Sequence, residues 1–272
     1  MQDNREKNAS KRFVEYIDVM NYQLREPVAN IFASLPILAD NINKSSTEAS
    51  MENANAIYKR AYSIMKCVDN LSMVSRLQSG YKYSKEILDF SQLVKNLFSS
   101  AQVVLPEYVF LEYEVSDNCV IEGSKYLLSV AILNILLNSL EYCQEDVYVS
   151  VKLKKEEKKC VLTYRDNSKG IKPEIIENVF EIFYSKDPYN DGEITNKMGL
   201  GLYIAQQAVS HAGGTIFIES EFGKGVNVIV SLPLCEESSE LVFKSRTKDF
   251  VLNKYSELYV QLCGFCELPD LT

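Results

Sequence analysis

The chain of 272 residues has a single histidine, His211, and no tryptophan. With one imidazole it has almost no material for a histidine-rich metal site or for a Ser-His-Asp triad. Basic residues are also in deficit, because 29 Lys and Arg stand against 37 Asp and Glu and leave a net charge of −8. An acidic chain of this kind is not expected to bind nucleic acid or an anionic membrane surface.

Long apolar runs are lacking as well. The longest, 127–137, is interrupted by Ser129 and Asn134 and falls short of the roughly 20 residues that a membrane-spanning helix needs. The first residues, Met-Gln-Asp-Asn-Arg-Glu-Lys, lack the apolar core of a signal peptide. The seven cysteines are odd in number and irregularly spaced, which is typical of reduced thiols rather than of a disulfide framework. We therefore expect a cytoplasmic protein without a membrane span.

Apolar residues recur at steps of three or four along residues 11–80, in two blocks separated by a polar turn at 41–47. This period is typical of the seam of a helical bundle or coiled coil. A lone pair of helices has two seams and cannot bury both, whereas four helices from two chains can. The sequence therefore predicts a flexible N-terminus over 1–10 and then a helical hairpin over 11–80. We expect this hairpin to form a four-helix bundle in a homodimer.

From Tyr81 the pattern changes to a mixture of helices and strands, which predicts one α/β unit over 81–234 that ends near Pro233. Helices are predicted over 90–101, 124–143 and 200–212, and strands over 109–115, 147–153, 160–164, 215–220 and 226–232. The C-terminal extension, 235–272, carries aromatic residues and is expected to pack on this unit. Within it, 238–244 is a candidate extension of the sheet, and 250–262 fits either a helix or a strand.

The predicted helix over 124–143 is apolar on nearly all sides, yet a polar stripe runs along it through Asn134, Asn138, Glu141 and Glu145. Steps of four, three and four place these side chains on one face. A buried amide without a partner costs about 1–3 kcal/mol, so the stripe needs partners. Either it meets water and backbone groups, or it lines a ligand cleft where amide oxygens bind a hard cation such as Mg²⁺. The helix alone does not decide between the two.

Two loops further along the chain suit a nucleotide. Asp166 follows a predicted strand in a turn closed by Gly170 and offers a carboxylate to the exocyclic amine of a base, although such a sequence is commonly an ordinary turn. The segment 198–202, Met-Gly-Leu-Gly-Leu, precedes a predicted helix. Its two glycines let backbone N–H groups approach phosphate oxygens at the start of that helix. The order and spacing of the amide stripe and the two loops together favour a nucleotide site.

In these motifs the chain resembles the sensor histidine kinases and their Bergerat-fold ATPase domain, over about residues 11–233. Residues 134–142 resemble the asparagine box of that family, 166–170 and 199–202 its two glycine boxes, and 180–183 its phenylalanine box. The resemblance implies an α+β chain, in which the helical dimerisation hairpin precedes an α/β-sandwich ATPase domain. It also implies ATP and Mg²⁺ as cofactors, a lid over residues 184–198, and a response regulator or another kinase as partner.

The resemblance also implies roles for single residues. Asn138 would ligate Mg²⁺, Asn134 would support the phosphates, and Asp166 would read adenine. The other nucleotide-binding positions that it implies are Tyr142, Gly170, Lys186, Gly199, Leu200, Gly201 and Leu202.

Several positions of the implied ATP site depart from the family. Glu141 stands where the family has a lysine, Ser168 where it has a glycine, and Val226 where a hydroxyl residue is common. Lys186 and Lys197, both in the implied lid, are candidates to supply positive charge near the phosphates instead. None of these changes removes the implied metal ligand or the adenine aspartate, so nucleotide binding is still expected.

The implied phosphoacceptor box, 21–28, departs most. The phosphorylated histidine of the family falls on Tyr22 and its acidic base on Gln23, so neither nucleophile nor base is present. A phenol with a pKa near 10 and no neighbouring base is a poor nucleophile. The one histidine, His211, falls on a position that the resemblance implies to be structural. We expect no ordinary histidine autophosphorylation. Two interpretations stay open: a kinase-family protein that binds ATP and acts on another acceptor, or a non-catalytic dimeric scaffold for a response regulator or a kinase.

Overall fold

A computed structural model of the chain describes residues 2–143, 145–184, 198–235 and 246–266. Two long helices come first, followed by a part that mixes helices and strands. This order confirms the predicted α+β fold. The elements are α1 (Gln2–Asn43), α2 (Thr47–Gln78), β1 (Glu86–Asp89), α3 (Phe90–Val104), β2 (Val109–Val115), β3 (Val120–Gly123), α4 (Lys125–Tyr142), β4 (Val147–Lys155), β5 (Lys159–Asp166), α5 (Pro173–Ile176), α6 (Gly201–His211), β6 (Thr215–Ser220), β7 (Val226–Pro233), α7 (Thr247–Val251) and α8 (Glu257–Leu262).

The hairpin consists of α1 and α2, which pack against each other across a short turn. α1 begins at Gln2, so the segment predicted as a flexible N-terminus is helical from that residue on. Residues 2–10 contain neither glycine nor proline, so no strong helix breaker interrupts the helix there. The helix also continues through Pro27 and Pro36. Long as these helices are, none in the described ranges has a stretch apolar enough to cross a membrane.

The α/β part, residues 81–235, is built on a five-stranded sheet with the strand order β2-β4-β5-β7-β6. β2 and β4 are parallel, and the other neighbours are antiparallel. Along β4 the residues Val147, Val149, Val151 and Leu153 are buried, and the residues between them are more exposed. Successive side chains of a strand point to opposite faces. One face of the sheet is therefore covered by α3, α4 and α6, which gives a two-layer α/β sandwich.

A second, two-stranded sheet was not predicted. β1 pairs with β3 in antiparallel register, from Glu86 opposite Gly123 to Asp89 opposite Val120. Each strand has four residues, which is too short for an alternating pattern to stand out in the sequence. Asp89 also begins the next helix, because its carboxylate accepts a hydrogen bond from the Gln92 backbone N–H at 3.2 Å.

Helix α4 lies in the centre of the α/β part, in contact with α3, α6, α8 and β4. Thirteen of its residues are buried, among them Leu127, Leu133 and Asn134. A helix that is enclosed on all sides has no solvent face to make polar. This explains why α4 is apolar nearly all round, and it places the polar stripe among packed elements.

The described C-terminal extension lies between the two parts of the chain. α7 packs on α3, and α8 packs on both α4 and α2. The Tyr62 hydroxyl of α2 donates a hydrogen bond to the carbonyl of Lys254 at 2.5 Å, and Gln261 Nε2 donates to Asn70 Oδ1 at 3.2 Å. The extension thus contacts the hairpin as well as the α/β part. The candidate strand at 238–244 lies outside the described residues.

Candidate functional site

A cavity of about 690 Å³ lies between the α/β part and the hairpin. It is lined by Asn134 and Asn138 of α4, by Asp166 at the end of β5, and by Gly199 and Gly201 around the start of α6. Three motifs that are far apart in the sequence therefore meet at one cavity, whose volume is in the range of ligand sites. Tyr142, Gly170, Leu200 and Leu202 line it as well. Lys186 and Lys197 lie outside the described residues.

Asp166 is held by four hydrogen-bond donors. Its Oδ1 accepts from the Ser168 backbone N–H at 3.0 Å, from the Ser168 hydroxyl at 2.7 Å and from the Val226 backbone N–H at 3.0 Å. Its Oδ2 accepts from the Ser139 hydroxyl at 2.5 Å. Each carboxylate oxygen has about two lone-pair sites, so Oδ2 keeps capacity for one more donor. The carboxylate is thus fixed in orientation and still able to accept a hydrogen bond from a ligand.

The hydroxyl groups behind Asp166 were missed by the sequence analysis. Ser139 also bonds the Tyr164 hydroxyl, at an O–O distance of 2.7 Å. The pKa of Tyr164 is raised well above its usual value, mainly by burial and secondly by the negative charge of Asp166. The phenol therefore stays neutral, and the network carries a single negative charge. A serine one residue after Asn138 in an apolar helix was the signal that could have revealed it.

The two asparagines of α4 have different surroundings. Asn134 is buried, and its Nδ2 donates to the carbonyl of Val130 at 3.0 Å. The side chain of Asn138, one turn later, is half-buried and makes no hydrogen bond to another described residue. One amide of the stripe is therefore satisfied by the backbone, and the other lines the cavity. That the stripe binds a cation stays a prediction.

The glycines before α6 allow the loop to approach these side chains closely. Gly199 has φ +60°, and a Cβ there would collide with the carbonyl of Tyr184. A Cβ on Gly201 would lie 2.9 Å from Asn134 Oδ1. Without side chains at these positions, the N–H groups at the start of α6 stay accessible, and a helix N-terminus favours a negatively charged ligand.

The remaining wall of the α/β part is apolar, and the opposite wall belongs to the hairpin. The apolar wall includes Ile135, Ile171, Val226 and Val228, which offer apolar contact surface to a ring system.

From the hairpin, α1 contributes Tyr22, Gln23, Glu26 and Pro27. Tyr22, at the position of the implied phosphoacceptor, is 47% exposed. The hairpin wall was not predicted, because it depends on how the two parts of the chain pack.

His211 does not line the cavity. Its Nε2 lies 3.2 Å from the carbonyl oxygen of Tyr83, and burial lowers the pKa of the imidazole. It thus joins the end of α6 to the segment before β1.

A comparison with protein families gives the class of the α/β part. Residues 123–236 match the model of the histidine kinase-, DNA gyrase B-, and HSP90-like ATPase family. The match includes Asn134, Asn138, Asp166 and both glycines of the loop. The cavity therefore lies in an ATPase-type domain, to which a helical hairpin is joined.

Curated relatives cover most of the chain. The sensor histidine kinase WalK of Bacillus subtilis (strain 168) is 24% identical over 232 residues, which are 83% of this chain and 37% of WalK. The signal transduction histidine-protein kinase BaeS of Escherichia coli (strain K12) is 25% identical over 84% of this chain and 48% of BaeS. Over most of its length the chain is thus similar to sensor histidine kinases, and its α/β part matches the ATPase family that includes them, which confirms the resemblance. It spans about half or less of the length of these two relatives.

Solved structures agree on the fold. The Acinetobacter baumannii histidine kinase AdeS matches 79% of this chain and 98% of that chain, with a TM-score of 0.56 and 14% identity. Full-length ShkA in complex with AMPPNP matches 86% of this chain and 47% of that chain, with a TM-score of 0.56 and 16% identity. Both matches extend beyond the α/β part, so they include the hairpin in the shared architecture.

The Cys143 thiol at the end of α4 provides a probe of the Asp166 charge. Burial and the Asp166 carboxylate raise its pKa to about 11. In Asp166→Asn the negative charge is lost, so the pKa should fall. At pH 9 the thiolate fraction, and with it the rate of alkylation by iodoacetamide, should rise about three- to tenfold. Peptide mass spectrometry over a pH series measures this rate at Cys143.

Asp117→Asn is the matched control, because this exposed carboxylate pairs with Lys95 on the surface. It should leave the alkylation profile of Cys143 unchanged. An unchanged profile in Asp166→Asn would show that the Asp166 charge does not act on this thiol.

Proposed function

We propose that this protein binds ATP with Mg²⁺ in the cavity and acts in two-component signalling without phosphorylating a histidine of its own chain. The observation that supports this best is that Asp166, Asn138 and the glycine loop line one cavity. A fixed carboxylate, an available amide and an open helix N-terminus are the groups that an adenine, a cation and a polyphosphate need. The AMPPNP complex of the related ShkA structure is consistent with this ligand class.

Each group has a distinct part in the proposed complex. Asp166 Oδ2 would accept a hydrogen bond from the adenine amine, and the N–H groups at Gly199 to Gly201 would bind the phosphates. Asn138 would ligate Mg²⁺, which neutralises phosphate charge when bound. No cluster of three acidic, His or Cys side chains suited to a metal occurs among the described residues. This fits Mg²⁺, which is commonly held by few protein ligands together with phosphate oxygens and water.

Nucleotide titrations distinguish the proposed roles. Asp166→Ala should lower the affinity for ATP and for adenosine alike, by about 10- to 100-fold, because a charge-assisted hydrogen bond to the base is lost. Asn138→Ala should leave adenosine binding unchanged and remove the gain in ATP affinity that Mg²⁺ gives. Isothermal titration calorimetry of the full chain, with and without Mg²⁺, measures both effects.

Asp146→Ala and Asn55→Ala are matched controls, since neither residue lines the cavity. Both should bind ATP as the unmodified chain does. Equal affinity for ATP in Asp166→Ala and the unmodified chain would refute the assignment of the adenine contact.

The proposed absence of histidine autophosphorylation depends on α1. Tyr22 and Gln23 line the same cavity as Asn138, so the chain keeps the location of the acceptor and lacks its chemistry. A phenol and an amide supply neither the nucleophile nor the general base of the family. We infer that any phosphoryl transfer goes to an acceptor on another protein.

Restoring the two side chains tests this inference. With radiolabelled ATP, the unmodified chain should carry no acid-labile phosphohistidine, and Tyr22→His/Gln23→Glu should gain it. The same variant with Asn138→Ala should lose the label again, which shows that the cavity supplies the phosphoryl group. Acid-labile label on the unmodified chain, where His211 is the single histidine, would contradict the proposal.

The second candidate function is a non-catalytic scaffold, in which nucleotide acts by shifting the geometry of the hairpin. The loss of both acceptor-site groups favours it. If Tyr22→His/Gln23→Glu binds ATP and stays unlabelled, and no added partner is labelled, the scaffold is the better account. In either case we propose a response regulator or another kinase as partner, and the cytoplasmic location stays a prediction from the sequence.

Homodimerisation through residues 11–80 is supported by apolar side chains that the hairpin leaves exposed. Phe32 is 69% exposed and Ile42 60% exposed. Other exposed apolar residues of the hairpin are Val28, Leu35, Ile37, Met51, Tyr58 and Val68. Exposed apolar surface of this extent is typical of a protein interface. A second hairpin would cover it and complete a four-helix bundle.

Charges in this surface should separate the two chains. Phe32→Glu/Leu35→Glu is expected to convert the dimer to a monomer, because burying unpaired carboxylates in an apolar interface costs several kcal/mol. Light scattering after size-exclusion chromatography measures the mass. Phe217→Glu, on β6 and 60% exposed, should remain dimeric, and a monomeric unmodified chain would refute the proposed interface.

A further inference from the structure

One wall of the nucleotide cavity is a face of α2. Arg60, Ser63, Lys66, Cys67 and Asn70 line the cavity from this helix. Their spacing places them on one side of a helix with 3.6 residues per turn. This face of the hairpin therefore lies opposite the loop and α4 across the same cavity.

The α2 face is held against the glycine loop. Cys67 Sγ donates a hydrogen bond to Met198 Sδ at 3.5 Å, and both side chains are buried. Met198 directly precedes Gly199, and α2 also contacts α6. Lys66 and Cys67 line the same cavity, so α2 brings Lys66 to the wall that adjoins the glycine loop.

The charges around the cavity are divided unevenly. Among the described residues that line it, the charged ones are Glu26, Arg60, Lys66, Glu141 and Asp166. Both cations belong to α2, whereas the α/β part contributes two carboxylates. A triphosphate carries several negative charges, so binding it in a cavity that already contains these carboxylates requires positive charge. Within the described ranges, that charge comes from the hairpin.

Arg60 and Lys66 are available for such a ligand. Neither side chain has a hydrogen bond or ion pair with another residue in the described ranges. Arg60 is exposed and Lys66 is half-buried. A guanidinium matches the geometry of a phosphate with two donors, and an ammonium binds it as a point charge. A partly buried cation without a counter-ion is stabilised when an anion binds beside it.

We propose that Arg60 and Lys66 of α2 bind the phosphates of the nucleotide, so that the bound nucleotide connects the α/β part to the hairpin. This rests on the proposed function, because it assumes the nucleotide in the cavity. The two cations compensate for the absence of a lysine at position 141. The affinity of the chain for a nucleotide should then increase with each phosphate group that the nucleotide carries. The contact between the hairpin and the α/β part should differ between nucleotides with different numbers of phosphate groups.

Titrations with Mg²⁺-ATP, Mg²⁺-ADP and adenosine test this on the full chain. In Arg60→Gln and Lys66→Gln, ATP affinity should fall about tenfold each, and in the double variant about 100-fold. Adenosine affinity should stay as in the unmodified chain. Lys66→Arg keeps the charge and should retain ATP affinity within about threefold.

Lys44→Gln is the matched control, because it removes the same charge from the hairpin turn, where Lys44 pairs with Asp40 on the surface. It should bind ATP as the unmodified chain does. Unchanged ATP affinity in the double variant would overturn the inference. An equal loss of affinity for ATP and for adenosine would overturn it as well. Failure of the unmodified chain to bind any of the three ligands would overturn the proposed function itself, which is a distinguishable result.

Discussion

The burial of α4 is the constraint on which the rest of the site depends. This helix contacts α3, α6, α8 and β4, so its polar stripe has little freedom of position. Asn134 is satisfied by its own helix, and Asn138 opens into the cavity. Because a closely packed interior resists displacement, the backbone of Asn138 is held in place before any ligand arrives. The same packing brings Ser139 to Asp166.

The electrostatics of the site follow from the register of the sheet. β5 and β7 pair so that Arg165 lies opposite Asn227, and the next step brings the Val226 N–H to Asp166. A slip of one residue would turn the alternate side chains to the other face and remove this donor. The carboxylate thus depends on backbone geometry and not on the side chain at position 226.

The hairpin and the α/β part are coupled through shared surfaces. α8 packs on both α4 and α2, and the cavity has walls from both parts. A ligand in this position would contact the asparagine helix and the hairpin together. A ligand that favours one relative placement of the two parts shifts the population toward it, which gives the proposed nucleotide a physical route to the hairpin.

The sequence by itself determined the helical hairpin, all five strands of the larger sheet, and the three motifs of the cavity, because periodicity and glycine-containing turns are local properties. From the sequence alone we also predict that Tyr22 and Gln23 lack the chemistry of a phosphoacceptor. Only the tertiary structure decided which groups surround these motifs. The Ser139 and Tyr164 hydroxyls, the Val226 N–H, the α2 wall with Lys66, and the position of α8 all depend on contacts between residues distant in the chain. Such contacts leave no periodic signal, since each is fixed by the packing of whole elements rather than by neighbouring residues.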